Sequence, residues 1–404
     1  MRQEMLQEAV SRFQTPLYVY DLDRLYAVVS KIRQVMGEKT GLCYAMKANP
    51  FLTRQMAAKA DRVEVCSMGE FRICKELGIS PEKLLISGVL KKKTELFEIL
   101  EYYQENCFYT VESEQQFRYL GEWSTQAKRP IRIFLRFSSE NQFGVDKQSI
   151  LRMIRGKKQY PYLVIQGLHY FSGTQKHIKK SVQELQMLDQ ILLEIAERTK
   201  IEIPELEYGP GLPVSYFEGQ KDTRICDLKT IIETVQHMNW KGKLVLEMGR
   251  AIAADCGSYL TRVEELKYGE QRNYAITDGG IHQLHYDGQI RGMYQPPIQF
   301  LPEREGAEDV WTVCGSLCTV NDILVQNLKI KDLHMGDVLV FGKTGAYSAM
   351  EGMALFLSHE FPAVVTYQKE RGWEQVRQMQ QTYEYNMERK MKDGRIIRNI
   401  EWNR

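Results

Sequence analysis

Eight short apolar runs, each followed by a stretch of helical spacing, constrain the fold of this chain more than any other feature. The runs lie at 42–47 (LCYAMK), 63–67 (VEVCS), 84–88 (LLISG), 107–112 (CFYTVE), 132–138 (RIFLRFS), 164–171 (VIQGLHYF), 206–209 (LEYG) and 244–248 (LVLEM). Between them, segments such as GEFRICKELG and VQELQMLDQILLEIAERT repeat apolar residues at helical spacing and stop at Gly or polar residues. Strands alternating with helices build βαβ units and a parallel sheet. Eight such units within roughly 220 residues fit a (β/α)8 barrel of the TIM type. A doubly wound sheet would use about five to seven strands and a Gly-rich loop after the first. No such loop follows 42–47.

The pattern changes near residue 257. YLTRVEELKY, VWTVCGSL, DILVQNLKI and DVLVFGKTG read as strands with Gly, Asp or Asn at the turns and few helices between. They imply a second, mainly β domain, which the early strand TPLYVYD is expected to join. The expected organisation is a barrel over 24–256, a β domain from 1–23 plus 257–366, and a charged helical tail over 367–404. Within the tail, Trp373, Val376, Met379, Tyr383 and Met387 fall at helical spacing. This apolar face would dock on its own domain or meet a partner, and Arg389, Lys390, Lys392 and Arg395 would suit an acidic one.

Bulk properties narrow the class. The chain has 404 residues, 43% hydrophobic and 26% charged, with a formal net charge of only +2. That balance gives no reason to expect a nucleic acid or membrane partner. No apolar run reaches the roughly 18 residues of a spanning helix. The amphipathic start MRQEMLQEAVSRF lacks a signal-peptide core. Eight cysteines never form CxxC, and Cys43 and Cys66 sit in apolar runs, as reduced thiols do. A cytoplasmic enzyme without a metal site is the expectation.

Functional groups of such a barrel lie where its strands end. Lys47 closes the first run. Burial there would lower its pKa toward a usable amine, and such a lysine can form a Schiff base; alone, it reads as readily as a lysine reaching solvent. His169 and Phe171 end the sixth run, and taken singly His169 is a core histidine. The seventh enters Gly209-Pro210-Gly211, a turn whose N–H groups could cradle phosphate or simply reverse the chain. The eighth ends Glu247-Met248-Gly249-Arg250. An amine, an aromatic ring, a small-residue turn, a carboxylate and a guanidinium at one barrel mouth match pyridoxal 5'-phosphate.

YAMKANP, VEVCSMGEF, GLHYFSGTQ, LEYGPGLPVSYF, LEMGRAIAADCG, GSLCTVNDIL and GDVLVFGKTGAYSAME occur in this order. In these motifs the chain resembles the fold-type III pyridoxal-phosphate decarboxylases, which include diaminopimelate and ornithine decarboxylases, over roughly residues 15 to 366. The resemblance implies an alanine racemase-like barrel followed by a β domain. It implies that Lys47 is the Schiff-base lysine and that Glu247 faces the pyridine nitrogen. Phe171 would stack on the ring. Thr174, Gly209, Gly211, Gly249, Arg250 and Tyr347 would hold the phosphate end. Cys318 would reach in from the partner subunit of a homodimer to help reprotonate the carbanion, and Asp322 closes its motif. Arg291 and Tyr294 fall near positions that contact the far end of the substrate.

Four departures accompany it. Phe171 stands where the family places a histidine, Pro210 replaces the middle glycine of the turn, and Met248 replaces a proline. Thr319 replaces the acid that reads the substrate's distal amine. Phe171 and DGGIHQLHYDGQIRGMY resemble a branch acting on conjugated or carrier-protein-linked amino acids. The expected activity is therefore decarboxylation of an acidic, acylated or carrier-linked amino acid. The alternatives are a diaminopimelate- or ornithine-type decarboxylase, a racemase or epimerase on the same fold, and a non-catalytic relative.

Overall fold

A computed structural model of the chain describes residues 1–388 and the backbone of 391–392 and 395–396. Strand β1 is Leu17–Asp21, and eight parallel strands then close a barrel: β2 Gly41–Ala45, β3 Arg62–Val65, β4 Leu84–Ile86, β5 Phe108–Val111, β6 Ile131–Arg136, β7 Leu163–Phe171, β8 Glu205–Gly209 and β9 Lys243–Met248. β9 pairs with β2 to complete the ring. Each strand matches one apolar run of the sequence. Helices such as Glu114–Ala127 and Ile178–Thr199 connect them. Several helices start at a side-chain cap. Ser67, Ser113 and Asp146 each accept a hydrogen bond from the residue three positions on, satisfying one of the free N–H groups of a first turn.

Strand register decides what the barrel interior contains. Side chains alternate across a strand, and the pairings place Cys43 beside Arg62 and Glu247, and Glu207 beside His169 and Val245. Cys43, Leu85, Phe108, Phe134 and Val245 form an apolar layer. Arg62 lies against it, its guanidinium carbon 4.1 Å from the Phe108 ring and 5.0 Å from that of Phe134. The same guanidinium binds Glu205 at 2.8 Å and Glu207 at 3.0 Å. Burial pushes the Glu207 carboxyl up in spite of Arg62.

The chain divides into two compact units. One is Leu22–Gly257 with Gly345–Tyr347; the other is Met1–Asp21, Ser258–Thr344 and the described residues from Ser348 on. The second unit is a sheet of nine strands: β1 joins β10 Gly257–Lys267, β11 Asn273–Thr277, β12 Ile298–Leu301, β13 Glu308–Cys314, β14 Ile323–Lys331, β15 Val338–Gly342, β16 Ala363–Gln368 and β17 Gly372–Arg377. β1 runs parallel to β16, with Leu17 opposite Ala363. Its core includes Leu6, Leu17, Val19, Leu260, Val340 and Val365.

The tail corrects an expectation. Residues 363–377 form an antiparallel hairpin, β16 on β17, and among the described residues of the tail helix is confined to Tyr383–Asn386. Gly372 takes a φ of +75° at the reversal, a conformation glycine adopts at little cost. Trp373 packs on Tyr367 and Phe13, with ring centroids 4.8 and 6.1 Å away. The side chains of Arg389, Lys390, Lys392 and Arg395 lie outside the described residues. Among the described residues no helix is long and apolar enough to cross a membrane, and all eight cysteines are free.

Removing one member of a buried ion pair strands its partner's charge. Arg62→Ala, which leaves Glu205 and Glu207 without their cation, should lower stability by about 3–5 kcal/mol, measurable by urea denaturation.

Candidate functional site

Lys47 leaves β2 in a single tight turn, Met46–Ala48, and Asn49 holds that turn: its Oδ1 accepts from Phe51 N and its Nδ2 donates to Gly345 O at 2.9 Å. The Lys47 amine then meets two inward-facing strand carboxylates. Nζ lies 2.5 Å from Glu64 Oε2 and 3.5 Å from Glu247 Oε1. Glu247 Oε2 accepts from His169 Nε2 at 2.9 Å. The ligand-type atoms of Glu64, His169 and Glu247 all lie within 4.8 Å of one another, a spacing that suits a cation. Here the Lys47 ammonium supplies that cation.

The electrostatics correct the expectation of a freed amine. Burial does press the Lys47 pKa down, but Glu64, Cys66 and Glu247 outweigh it and hold the amine well above its ordinary value. Burial likewise pushes the Glu247 carboxyl up, yet Lys47 and His169 overcome it and keep that carboxyl far below the usual range. An ionised Glu247 is an acceptor only, so His169 carries its proton on Nε2. His169 Nδ1 has no partner among the described residues.

Glu64 joins the Lys47 amine without having been expected from the sequence. The legible signal was a carboxylate in the strand VEVC, inward by the same alternation as Arg62. Two hydrogen bonds secure its strand end: Ser67 Oγ accepts from Glu70 N, and Glu70 Oε2 accepts from Cys66 N at 2.6 Å. Cys66 Sγ is 3.8 Å from Lys47 Nζ.

A cavity of about 400 Å³, measured to its open mouth, is lined by Lys47, Phe171, Thr174, Gly211, Glu247, Gly249, Arg250 and Tyr347. Eight residues expected from the sequence are thus gathered in the barrel unit. The Phe171 ring centroid is 5.7 Å from Lys47 Nζ. Phe171 also explains Gly209, where a Cβ would stand 2.3 Å from the ring. Arg250 donates from Nε to Thr174 Oγ1 at 3.1 Å and from Nη1 to the Tyr216 hydroxyl at 2.9 Å, and lies 4.5 Å from the Tyr347 ring centroid. Tyr347 has a φ of +67°, and burial pushes its hydroxyl up to about 12.

Five expected residues belong to the sheet unit. Cys318 is exposed. Thr319 is half-buried beside it, and Arg291 Nη2 donates to Val320 O at 3.4 Å. Tyr294 is exposed at 47%, its carbonyl accepting from Gln289 Nε2. Asp322 departs from the expected substrate contact. It is 2% exposed, and both carboxylate oxygens accept backbone N–H groups, Ile281 at 2.8 Å and Leu317 at 2.7 Å. Its place is structural, fixing the loop that carries Cys318.

The barrel cavity fits pyridoxal phosphate on its own chemistry. It offers a primary amine, a carboxylate held ionised, an aromatic face, and an arginine beside a glycine turn. Fold and site together define a pyridoxal-phosphate barrel enzyme. The chain belongs to the pyridoxal-dependent decarboxylase family, whose profile, described as pyridoxal-dependent decarboxylase, C-terminal sheet domain, matches residues 17–345. It is therefore a carboxy-lyase that uses pyridoxal phosphate.

Among characterised relatives, the diaminopimelate decarboxylase of Aquifex aeolicus (strain VF5) is 26% identical over 362 residues, covering 85% of this chain and 84% of the relative. The L-glutamyl-(BtrI acyl-carrier protein) decarboxylase of Niallia circulans is 26% identical over 383 residues, covering 87% and 88%. The crystal structure of AQ1208 from Aquifex aeolicus superposes with a TM-score of 0.81 at 26% identity, covering 94% of this chain and 92% of that one. The M. jannaschii diaminopimelate decarboxylase in complex with L-lysine shares the fold, with a TM-score of 0.82 at 22% identity over 92% and 91% of the two chains.

A carboxyl held below its unfolded value stabilises the fold fully above about pH 4.3 and loses that contribution as pH falls toward its folded value. Cofactor-free wild type should therefore lose stability to urea more steeply than Glu247→Gln between about pH 6 and pH 3. Parallel slopes would contradict the assignment.

Proposed function

We propose that the chain decarboxylates an amino acid whose distal end is acidic, acylated or tethered to a carrier protein, in a homodimer whose subunits share each active site. The observation that carries this reading is the Cys318 loop. Its neighbour Thr319 offers no carboxylate to a distal ammonium, and the Arg291 guanidinium lies against the loop at Val320 O. A buried ammonium without a counter-charge costs several kcal/mol, so this neighbourhood suits an anionic or amide end better. The similarity to a decarboxylase of carrier-linked glutamate supports the same direction.

Lys47 would hold the cofactor covalently through Nζ. Thr174, Gly209, Gly211, Gly249, Arg250 and Tyr347 would hold its phosphate end, and Phe171 would stack on the ring. When bound, the cofactor supplies an electron sink for the pair left as CO2 departs. The protein's own contributions are specific. Glu64 Oε2, 2.5 Å from Nζ, accepts the proton that Lys47 must shed to act as a nucleophile. Glu247, kept ionised and oriented by His169 Nε2, holds a proton on a ring nitrogen opposite it. Phe171 neither donates nor titrates, and so presents an apolar face. Cys318, aimed by the Asp322 loop, would return a proton in the site of the second subunit.

One observation favours the diaminopimelate- or ornithine-type alternative. Glu351 lines the same sheet-unit cavity as Arg291, with Oε2 3.4 Å from His285 Nε2. It could meet a distal ammonium.

Lys47→Ala should lose both turnover and the visible absorbance of bound cofactor. Comparing kcat/KM on free ornithine, lysine and meso-diaminopimelate with that on glutamate-like and acylated or carrier-linked substrates decides the substrate class. The latter group should be preferred by at least about tenfold; a best substrate among the diamino acids would overturn the reading while leaving the cofactor assignment intact. Mixing inactive Lys47→Ala and Cys318→Ala proteins should restore part of the activity once subunits exchange, since one site per heterodimer is complete.

A further inference from the structure

Beneath the Gly209–Gly211 turn lies a polar cluster that the proposed chemistry leaves unused. Lys176 and Glu184 are 5% and 6% exposed, and their side chains pair at 2.6 Å. Tyr208 donates its hydroxyl to Glu184 Oε2 at 2.8 Å, and Ser172 Oγ donates to the other carboxylate oxygen. A buried ion pair is a poor source of stability, because desolvation cancels most of the attraction. The connections of this pair point elsewhere.

Three consecutive carbonyls of the turn are tied down on one side. Lys176 Nζ donates to Gly209 O at 3.0 Å, Ser181 Oγ to Pro210 O at 3.3 Å, and Lys176 N to Gly211 O at 2.8 Å. These peptide bonds are trans, and in a trans peptide the N–H points opposite its carbonyl. The N–H groups of Gly211 and Leu212 are thereby turned away from Lys176 and Ser181. Both residues line the cavity that Arg250 and Thr174 also line. Pro210 has no N–H to give, so the anion-binding capacity of this turn rests on the two that remain. The fit is close: a Cβ on Gly211 would stand 2.3 Å from Gly173 O and 2.8 Å from Lys176 Cε.

We propose that Lys176, held by Glu184, is a positioning residue that pins Gly209 O at the entry of the turn and thereby holds in place the following peptides, whose Gly211 and Leu212 N–H groups would bind the phosphate of the cofactor. This rests on the reading above that the turn receives that phosphate. The test separates phosphate recognition from general stability. Full-length protein freed of cofactor is titrated with pyridoxal 5'-phosphate and with pyridoxal, which lacks the phosphate, following visible absorbance. Lys176→Met should weaken binding of the phosphorylated ligand by about tenfold or more and change pyridoxal binding by less than about twofold. Because that variant strands Glu184, Lys176→Met/Glu184→Leu removes both charges while keeping volume; it should show the same selective loss with unchanged circular dichroism. Equal losses for the two ligands, or no loss in the double variant, would overturn the proposal. Arg250→Gln distinguishes the two levels. If it loses the phosphate preference while the Lys176 variants keep it, only the role of Lys176 fails. If neither loses it, the placement of the phosphate fails as well.

Discussion

The site depends on an amine in a ring of carboxylates. Lys47 Nζ sits between Glu64 and Glu247 and, with His169, keeps the buried Glu247 carboxyl far below its usual range. Coulomb attraction outweighs burial for both Lys47 and Glu247. An acceptor, Glu64 Oε2, lies 2.5 Å from the amine.

Strand register does the placing. Arg62 and Glu64, His169 and Phe171, Glu205, Glu207 and Gly209, and Val245 and Glu247 fall on alternate positions of four strands, so the closed barrel stacks them in layers. The lower layer neutralises itself around Arg62. The upper layer surrounds Lys47. Gly209 ends its strand beside Phe171, since only a residue without Cβ leaves room for that ring.

Much of this was legible. Barrel strands are buried on both faces, so each was an unbroken apolar run, and residues just past the runs, such as Lys47, Glu247 and Arg250, were site candidates by position alone. Glu64, Lys176 and Glu184 were not, because a polar residue becomes informative only when its partner is known. Lys176 meets Gly209 O across 33 residues of chain, and no local pattern carries that. The Lys47 amine was misjudged for the same reason: burial is visible in a sequence, whereas the compensating carboxylates are not. Strand β17 was taken for helix because Trp373 and Val376 also suit helical spacing; the packing of Trp373 on Tyr367 and Phe13 outweighed that local preference.

Three residues, Gly345–Tyr347, belong to the barrel unit although the chain on either side of them does not. Asn49 donates to Gly345 O and Tyr347 N donates to Ala48 O, so the turn bearing Lys47 is braced by a segment nearly 300 residues downstream. On the ribosome, all eight barrel strands emerge well before that brace exists. A nascent barrel can close as a scaffold, but its Lys47 turn gains these hydrogen bonds only after most of the sheet unit has been translated.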